Sequence, residues 1–314
     1  MSARILFIDE NHPSLIGNLR KRGYECDEDY VNSKVEIEKV ISNYDAVVIR
    51  SRFKIDKQFI EAGKNLKCIA RAGAGMENID LEFAAKKNII CAHAPEGNRD
   101  AVGEQTIGML LALMNNVCRA DNQVRNGEWI REGNRGYELQ GKTVGVIGYG
   151  NMGTAFVQRL KGFDVRVLVY DKYKKNFGND WVKESSLEEI FQEADVISFH
   201  IPLTDETNYM VKEEFLSQFK KPIWLINTAR GKILDTAALV KFIENGKVRG
   251  ACLDVSEYES VSFEKIDISK LPLPFQYLIK SDKVILTPHI AGWTFESYEK
   301  IAKVLEEKIS AVLG

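Results

Sequence analysis

The sequence predicts an α/β protein built from two open parallel sheets, each covered on both faces by helices. Three observations carry that prediction. Short apolar runs alternate with helical patterns from the first residues onward. A polar, glycine-containing stretch at 126–140 separates a second series of the same kind. That second series opens with a run of closely spaced glycines at the end of an apolar strand. Strand–helix alternation implies parallel strands with helices as crossovers, hence doubly wound sheets. A chain of 314 residues is long enough for two cores, since single cores rarely grow past ~250–300 residues.

In the first series, 5–8 is a strand-like run and 13–22 is an amphipathic helix closed by Gly23. Helix 35–42, strand 46–49, helix 55–62, strand 68–71, helix 81–86 and strand 89–92 follow. These four strands, with about five expected, suit a flavodoxin-like unit. A long helical segment spans roughly 99–126. In the second series the strands fall at 143–147, 165–170, 196–200, 224–227, 250–255 and 284–286, the ~6 of a full dinucleotide-binding sheet. The segment 295–313 is a helix, with Ile301, Val304, Leu305 and Ile309 on one face. The region 260–282 reads as a surface excursion, and Leu271-Pro272-Leu273-Pro274 within it is expected to be non-helical because each proline restricts its predecessor.

Composition excludes several classes. Lys plus Arg number 43 against 45 Asp plus Glu, so no chain-wide basic footprint for nucleic acid is expected. No apolar stretch approaches the ~18 residues of a membrane helix, and MSARILFIDE reads as a first strand and not as a signal peptide. The five cysteines are scattered without a CxxC pair, which points to a reducing, cytoplasmic setting. The four histidines have no metal-ligand spacing, and no metal site is expected.

The glycine run is Gly148-Tyr149-Gly150-Asn151-Met152-Gly153. Glycines there allow a tight turn and let a pyrophosphate approach the backbone, with the next helix presenting its N-terminal amides. Asp171 ends the following strand, 23 residues beyond Gly148, near the ~20 expected for a carboxylate that binds the ribose hydroxyls. That carboxylate repels a 2′-phosphate, so NAD is favoured over NADP. Lys172, Lys174 and Lys175 beside it read as a solvated face. The run 136–143 also fits GxxxxGK[ST], but it precedes a strand where a P-loop must follow one, and ATP binding there is rejected.

Asn227-Thr228-Ala229-Arg230-Gly231 follows a strand, Asp254 ends the next with Glu257 and Glu259 close behind, and Thr287-Pro288-His289 follows the last. A cation, a carboxylate and an imidazole thus share the carboxyl edge of one sheet, where ligands bind in such folds. The set suits hydride exchange at a carbonyl. Arginine grips a substrate carboxylate and polarises the carbonyl, histidine protonates the oxygen, and a carboxylate keeps the histidine protonated.

Over nearly its whole length the chain resembles the D-isomer-specific 2-hydroxyacid dehydrogenases. The matching stretches are ARAGAGMENID (70–80), APEGN (94–98), ELQGKTVGVIGYGNMG (138–153), HIPLT (200–204), NTARG (227–231), CLDV (252–255) and PHIAG (288–292). The resemblance implies Arg230, Glu259 and His289 as the catalytic set, with Glu259 preferred to Glu257 because the family's Glu lies five residues after the strand-end Asp. Ser260 stands where the family usually has Pro, and the connection on to His289 is longer than usual. The resemblance also implies cofactor contacts at Gly148, Gly150, Asn151, Met152, Gly153, Asp171, His200, Ile201, Pro202, Thr207, Thr228, Ala229, Asp254 and Gly292. It implies an outer substrate domain of 1–98 plus 293–314, an NAD domain of 99–292, and hinges near 98–101 and 288–292. A cleft closing on substrate, and a homodimer formed through the long helix and the Trp129 segment, belong to the same expectation.

For the substrate, the backbone of Ala74 and Gly75 is expected to meet the carboxylate. Arg50-Ser51-Arg52 resembles the phosphate-binding loop of phosphoglycerate dehydrogenases. The expected substrate is therefore an anionic 2-hydroxy acid, first 3-phosphoglycerate, oxidised to 3-phosphohydroxypyruvate at the entry to serine synthesis. Reduction of glyoxylate or hydroxypyruvate is the alternative within the class, and an NAD(H)-sensing, corepressor-like binding protein is the alternative outside it. With the sequence ending at Gly314, a C-terminal regulatory domain and serine feedback are not expected. Trp293 is read either as the cap of an apolar pocket or as a packing residue.

Overall fold

The computed structural model describes residues 2–259 and 268–314. The chain separates into two compact units, Met1–Asp100 with Gly292–Gly314, and Ala101–Ala291.

The first unit holds β1 (Arg4–Phe7), α1 (Pro13–Lys21), β2 (Glu25–Glu28), α2 (Lys34–Val40), β3 (Ala46–Ile49), α3 (Lys57–Ala62), β4 (Cys68–Arg71), α4 (Leu81–Lys86) and β5 (Ile90–His93). Its five strands are all parallel in the order β2-β1-β3-β4-β5, the flavodoxin-like arrangement. Side chains alternate across the sheet. Ile5, Phe7, Ala46, Val48, Cys68 and Ala70 pack with Leu15 and Leu19 of α1. Leu6, Val47, Ile49 and Ile69 pack on the other face with Ile37, Phe59 and Ala84. The terminal helix α12 (Phe295–Leu313) returns to this unit and buries Ala302, Leu305 and Ile309 in the first of these cores. Its start is fixed by a capping box in which the Thr294 and Ser297 side chains each accept from the other's backbone amide, at 3.0 Å and 3.0 Å.

The chain enters the second unit through α5 (Pro95–Met114) and continues with α6 (Val117–Arg125), β6 (Thr143–Ile147), α7 (Asn151–Arg159), β7 (Arg166–Tyr170), β8 (Val182–Glu184) and α8 (Leu187–Glu193). It closes with β9 (Val196–Phe199), α9 (Glu213–Gln218), β10 (Ile223–Asn227), α10 (Thr236–Glu244), β11 (Val248–Leu253), α11 (Leu273–Lys280) and β12 (Val284–Leu286). The seven parallel strands run β12-β11-β10-β9-β6-β7-β8, so the strand order reverses between β6 and β9. Val144 and Val146 pack against Leu110, Phe156 and Val157 on one face. Leu168, Ile197 and Leu225 pack against Ile190, Leu216, Leu239 and Ile243 on the other.

Three expectations need correction. The helix read over 99–126 begins earlier, at Pro95, and is broken into α5 and α6 at Asn116, which takes a left-handed φ of 56°; asparagine adopts that conformation more readily than most residues. The Leu271–Pro274 stretch is not wholly non-helical, because α11 starts at Leu273 with Pro274 in its first turn, where the missing amide has no intrahelical partner to lose. Nor is all of 260–282 a surface excursion. Residues 260–267 lie outside the described residues, whereas Phe275 and Leu278 of α11 are core residues. No helix among the described residues is long and apolar enough to cross a membrane.

Candidate functional site

In the second unit the glycine turn follows β6 directly. Gly148 has φ 95°, and a Cβ there would overlap the carbonyl of His200. A Cβ on Gly153 would overlap the carbonyl oxygen of Gly148, so the first turn of α7 sits directly against the turn. Gly150, by contrast, faces open space. It caps α7 without a side chain, so the amides of Asn151, Met152 and Gly153 keep their donors for an anion.

Asp171, after β7, is already engaged. Its carboxylate accepts the amides of Tyr149 at 2.7 Å, Tyr173 at 2.9 Å and Lys174 at 2.8 Å. Burial alone would raise its pKa, but these amides outweigh burial and hold it below the usual carboxylate value. It therefore stays charged beside the glycine turn. The neighbouring lysines have partners of their own: Lys172 on Glu206, Lys174 on the Tyr149 carbonyl and Lys175 on the Asp171 carbonyl.

His200 follows β9 with Nε2 2.8 Å from Ser198 Oγ, while its Nδ1 is buried without a hydrogen-bond partner. Burial pushes its pKa from 6.5 down to about 3, so the ring is neutral. Ile201 and Pro202 follow it, and Thr207 folds back to donate to the Pro202 carbonyl at 2.7 Å. An open glycine cradle, a charged strand-end carboxylate and this buried imidazole with a vacant ring nitrogen fit a dinucleotide at the point where the strand order reverses.

The tips of β10, β11 and β12 lie side by side. Buried Asn227 shapes the first, accepting the Ala229 amide at 3.1 Å and donating to the Arg230 carbonyl at 2.9 Å. Thr228 meets Thr106 at 3.2 Å, and the Arg230 guanidinium donates to the Ala229 carbonyl at 2.6 Å. A Cβ on Gly231 would overlap the backbone of Ser256, so the turn carrying Arg230 abuts the segment carrying the two glutamates.

Asp254, 1% exposed, directly follows β11 and clasps the segment that bears His289. It accepts from Thr287 Oγ1 at 2.5 Å and from the amides of Ile290 at 2.9 Å and Ala291 at 2.7 Å, with Gln105 Nε2 at 3.1 Å. Burial is the strongest influence on its pKa and raises it, against the pull of these donors. His289 is held at φ 54° and Gly292, three residues on, at φ 90°. His289 Nδ1 lies 2.8 Å from Glu259 Oε2. Glu257 is engaged elsewhere, accepting Tyr209 Oη at 2.8 Å and the Thr236 amide at 2.9 Å. Of the two glutamates left open by the residue pattern, the structure brings Glu259 to the histidine.

In the first unit, one Asp9 carboxylate oxygen accepts the amides of Arg50 at 2.6 Å, Ser51 at 3.1 Å and Arg52 at 3.3 Å. The two arginines then diverge. Arg52 donates to the carbonyls of Ile8 at 3.0 Å, Asp29 at 2.8 Å and Asn32, so this side chain ties loops together. The Arg50 guanidinium lies 4.5 Å from the centroid of the Trp293 ring. The loop with Ala74 and Gly75 is pinned from β5, where His93 Nδ1 sits 2.6 Å from the Ala74 carbonyl and the Ala94 amide donates to Gly73 at 2.8 Å.

Sequence reasoning missed the supporting residues Asp9, His93, Gln105, Thr106 and Asn227. Asn227 sits inside a quoted motif and could have been found there. The others carry no local signal, because their partners are distant in sequence.

Comparison with known proteins agrees with this geometry. Residues 107–291 match the family described as D-isomer specific 2-hydroxyacid dehydrogenase, NAD binding domain. The chain is 35% identical over 98% of its length to a D-3-phosphoglycerate dehydrogenase of Archaeoglobus fulgidus, and that match spans 56% of the relative, so the chain covers little more than half of it. It is 37% identical over 91% of its length to a glyoxylate reductase of Thermofilum pendens, spanning 83% of that protein. Among solved structures, a D-lactate dehydrogenase from Aquifex aeolicus, complexed with NAD and lactic acid, superimposes with a TM-score of 0.82 at 29% identity, over 98% of this chain and 94% of that one. With the NAD-binding domain matched across the glycine cradle and all three strand tips, the chain belongs to the D-isomer specific 2-hydroxyacid dehydrogenases, a family of NAD-dependent oxidoreductases.

Proposed function

We propose that the protein interconverts a D-2-hydroxy acid and its 2-oxo acid, with Arg230, Glu259 and His289 as the working side chains. The observation that carries this reading is the 2.8 Å contact between His289 and Glu259, which follow β12 and β11, the latter strand lying beside the β10 that leads to Arg230. Arg230 binds the substrate carboxylate and draws electron density from the carbonyl. Glu259 accepts the Nδ1 hydrogen and so fixes the ring's orientation and tautomer, leaving Nε2 for proton transfer. In the reducing direction His289 gives its Nε2 proton to the carbonyl oxygen, and in the oxidising direction the same nitrogen takes the hydroxyl proton. The glycine cradle would hold the nicotinamide cofactor, which would supply the hydride as NADH or accept it as NAD⁺. Asp171, kept charged, favours NAD over its 2′-phosphorylated form.

As to the acid, the reading is 3-phosphoglycerate, placing the reaction at the entry to serine synthesis. Its support is Arg50 of the 50–52 loop and the 35% identity to a phosphoglycerate dehydrogenase; Arg52, expected beside it, is committed to backbone carbonyls. Glyoxylate or hydroxypyruvate reduction is the second reading, supported by the 37% identity to a glyoxylate reductase. The protein is read as a homodimer, as the family resemblance implies, through the long helix and the segment in which Trp129 and Ile130 are 79% and 46% exposed. Light scattering checks the mass.

A panel of 2-oxo acids, assayed by loss of NADH absorbance, tests the reading. Turnover is expected in the wild type, and His289→Asn is expected to abolish it with NADH affinity retained. Tight NADH binding without turnover of any acid would instead favour a nucleotide sensor.

A further inference from the structure

Arg230, Glu259 and His289 follow the carboxyl ends of β10, β11 and β12. The amino ends of the same three strands border a cavity of about 380 Å³, whose other walls are the end of α5, the start of α6 and the strip 135–137. That volume falls at the lower end of the ~300–1,000 Å³ of small-molecule pockets. Arg249 lies near the start of β11, and Asp254 follows that strand at its far end. Five residues at ~3.3 Å each put roughly 17 Å between their backbones, so the cavity is separate from the strand tips that carry the proposed chemistry.

Its walls are fixed. A Cβ on Gly136 would overlap the Met114 carbonyl oxygen, and one on Gly250 the Lys283 carbonyl oxygen. The Tyr137 amide donates to Met114 at 2.9 Å, and Asn116 Nδ2 donates to the Arg135 carbonyl at 3.3 Å. Buried Trp224 meets the Tyr137 ring edge-on, with centroids 5.1 Å apart.

Four cations line the cavity, Arg119, Arg135, Arg249 and Lys283, against the single carboxylate of Asp282. Arg135 is paired with Glu132 at 2.8 Å. The other three form no ion pair with a described carboxylate. Arg249 is held by rings instead. Its guanidinium carbon lies 5.2 Å from the Tyr137 centroid and 5.2 Å from that of Trp224, inside the ~6 Å reach of a cation–π contact, and Nη1 donates to Tyr137 Oη at 3.3 Å. Arg119 donates to Asn134 Oδ1 at 2.9 Å and to the Gly133 carbonyl. Each guanidinium carries five N–H donors, so both keep some for a ligand. Cations gathered without carboxylates repel one another, and an anion among them relieves that repulsion.

We propose that this cavity binds a small organic polyanion whose phosphate or carboxylate groups bridge Arg119, Arg249 and Lys283. Guanidinium forks take either group through paired hydrogen bonds, and the volume admits a carbon skeleton between the charged ends. Occupancy of this site does not depend on the reaction proposed above.

Titration calorimetry on the whole chain at low salt tests it, with pyrophosphate and citrate as probes. NADH is kept saturating, so that neither probe enters the glycine cradle. One site per chain is expected. Arg249→Gln and Lys283→Gln are each expected to weaken binding about tenfold, with NADH affinity and the melting temperature of the free protein unchanged. Arg230→Gln, at the opposite edge of the sheet, is expected to bind both probes as the wild type does. Tighter pyrophosphate marks a phosphoryl ligand and tighter citrate a polycarboxylate, and either result supports the site. No binding of either probe at millimolar concentration overturns it. So does binding that Arg230→Gln abolishes and Arg249→Gln leaves intact. Light scattering covers the remaining outcome: a mass changed by Arg249→Glu assigns the cavity to contact with a second copy of the chain and overturns the ligand.

Discussion

His289 and Glu259 are joined through Nδ1, at 2.8 Å, although thirty residues separate them in the chain. Glu257, two positions away, is occupied with Tyr209 and Thr236. Glu259→Gln is therefore expected to lower kcat about a hundredfold, whereas Glu257→Gln leaves kcat within about threefold and acts on thermal stability. Comparable kcat losses in the two variants would contradict the assignment.

Asp254 holds the segment that presents His289. In Asp254→Asn an NH₂ group must face some of the donors that the carboxylate now accepts. The expected loss is about 2–3 kcal/mol of stability, with KM for NADH rising and kcat falling together. Urea titration and initial rates measure the two effects. A variant as stable as the wild type would show that the clasp is dispensable.

Buried His200 makes the second unit acid-sensitive. Its folded pKa of about 3 lies below the ordinary 6.5, so the unfolded chain binds more protons between those values. Stability thus falls as pH drops from 6.5 toward 3, by about a factor of ten in the unfolding constant per pH unit. His200→Gln is expected to flatten the difference between pH 7 and pH 4.5 by about two powers of ten. Equal slopes in both proteins would refute the buried neutral ring.

The 50–52 loop supplies a contrast in stability. Arg52→Ala strips three carbonyls of their donor and is expected to lose about 2 kcal/mol. Arg50→Ala, which breaks no hydrogen bond to a described residue, is expected to melt within about 2 °C of the wild type. A lower melting temperature for Arg50→Ala than for Arg52→Ala would reverse the roles drawn for the pair.

Gly153→Ala tests the cradle. The added methyl group meets the Gly148 carbonyl, so about 1–3 kcal/mol of stability is lost and the affinity for NADH falls with it. Calorimetric titration of NADH checks the second effect.

The central strands of both sheets were legible because buried parallel strands are short apolar runs, as in AVVI of β3 and TVGVI of β6. Two of the four edge strands, β2 and β8, were not. β2 reads ECDE and β8 reads VKE; an edge strand needs one inward side chain and otherwise faces water, so no apolar run marks it. The break at Asn116 was hidden inside a helical pattern that continues on both sides. At the site, residue types at strand ends were readable, because a doubly wound sheet puts them on one edge. The residue pattern alone left open which of two glutamates turns toward the histidine, since that depends on what Tyr209 and Thr236 claim; only the family resemblance preferred Glu259. Nor could the sequence reveal that Arg52 faces backbone carbonyls, as its partners come from two other loops.

Gly231 carries a consequence for how the chemistry can drift. The turn bearing the guanidinium rests against Ser256 with no room for even one methyl group. The separation of Arg230 from the glutamate loop is thus fixed by a missing atom. Any larger side chain at 231 would act as a wedge, and it would push Arg230 and the loop of Glu257 and Glu259 apart in a single step.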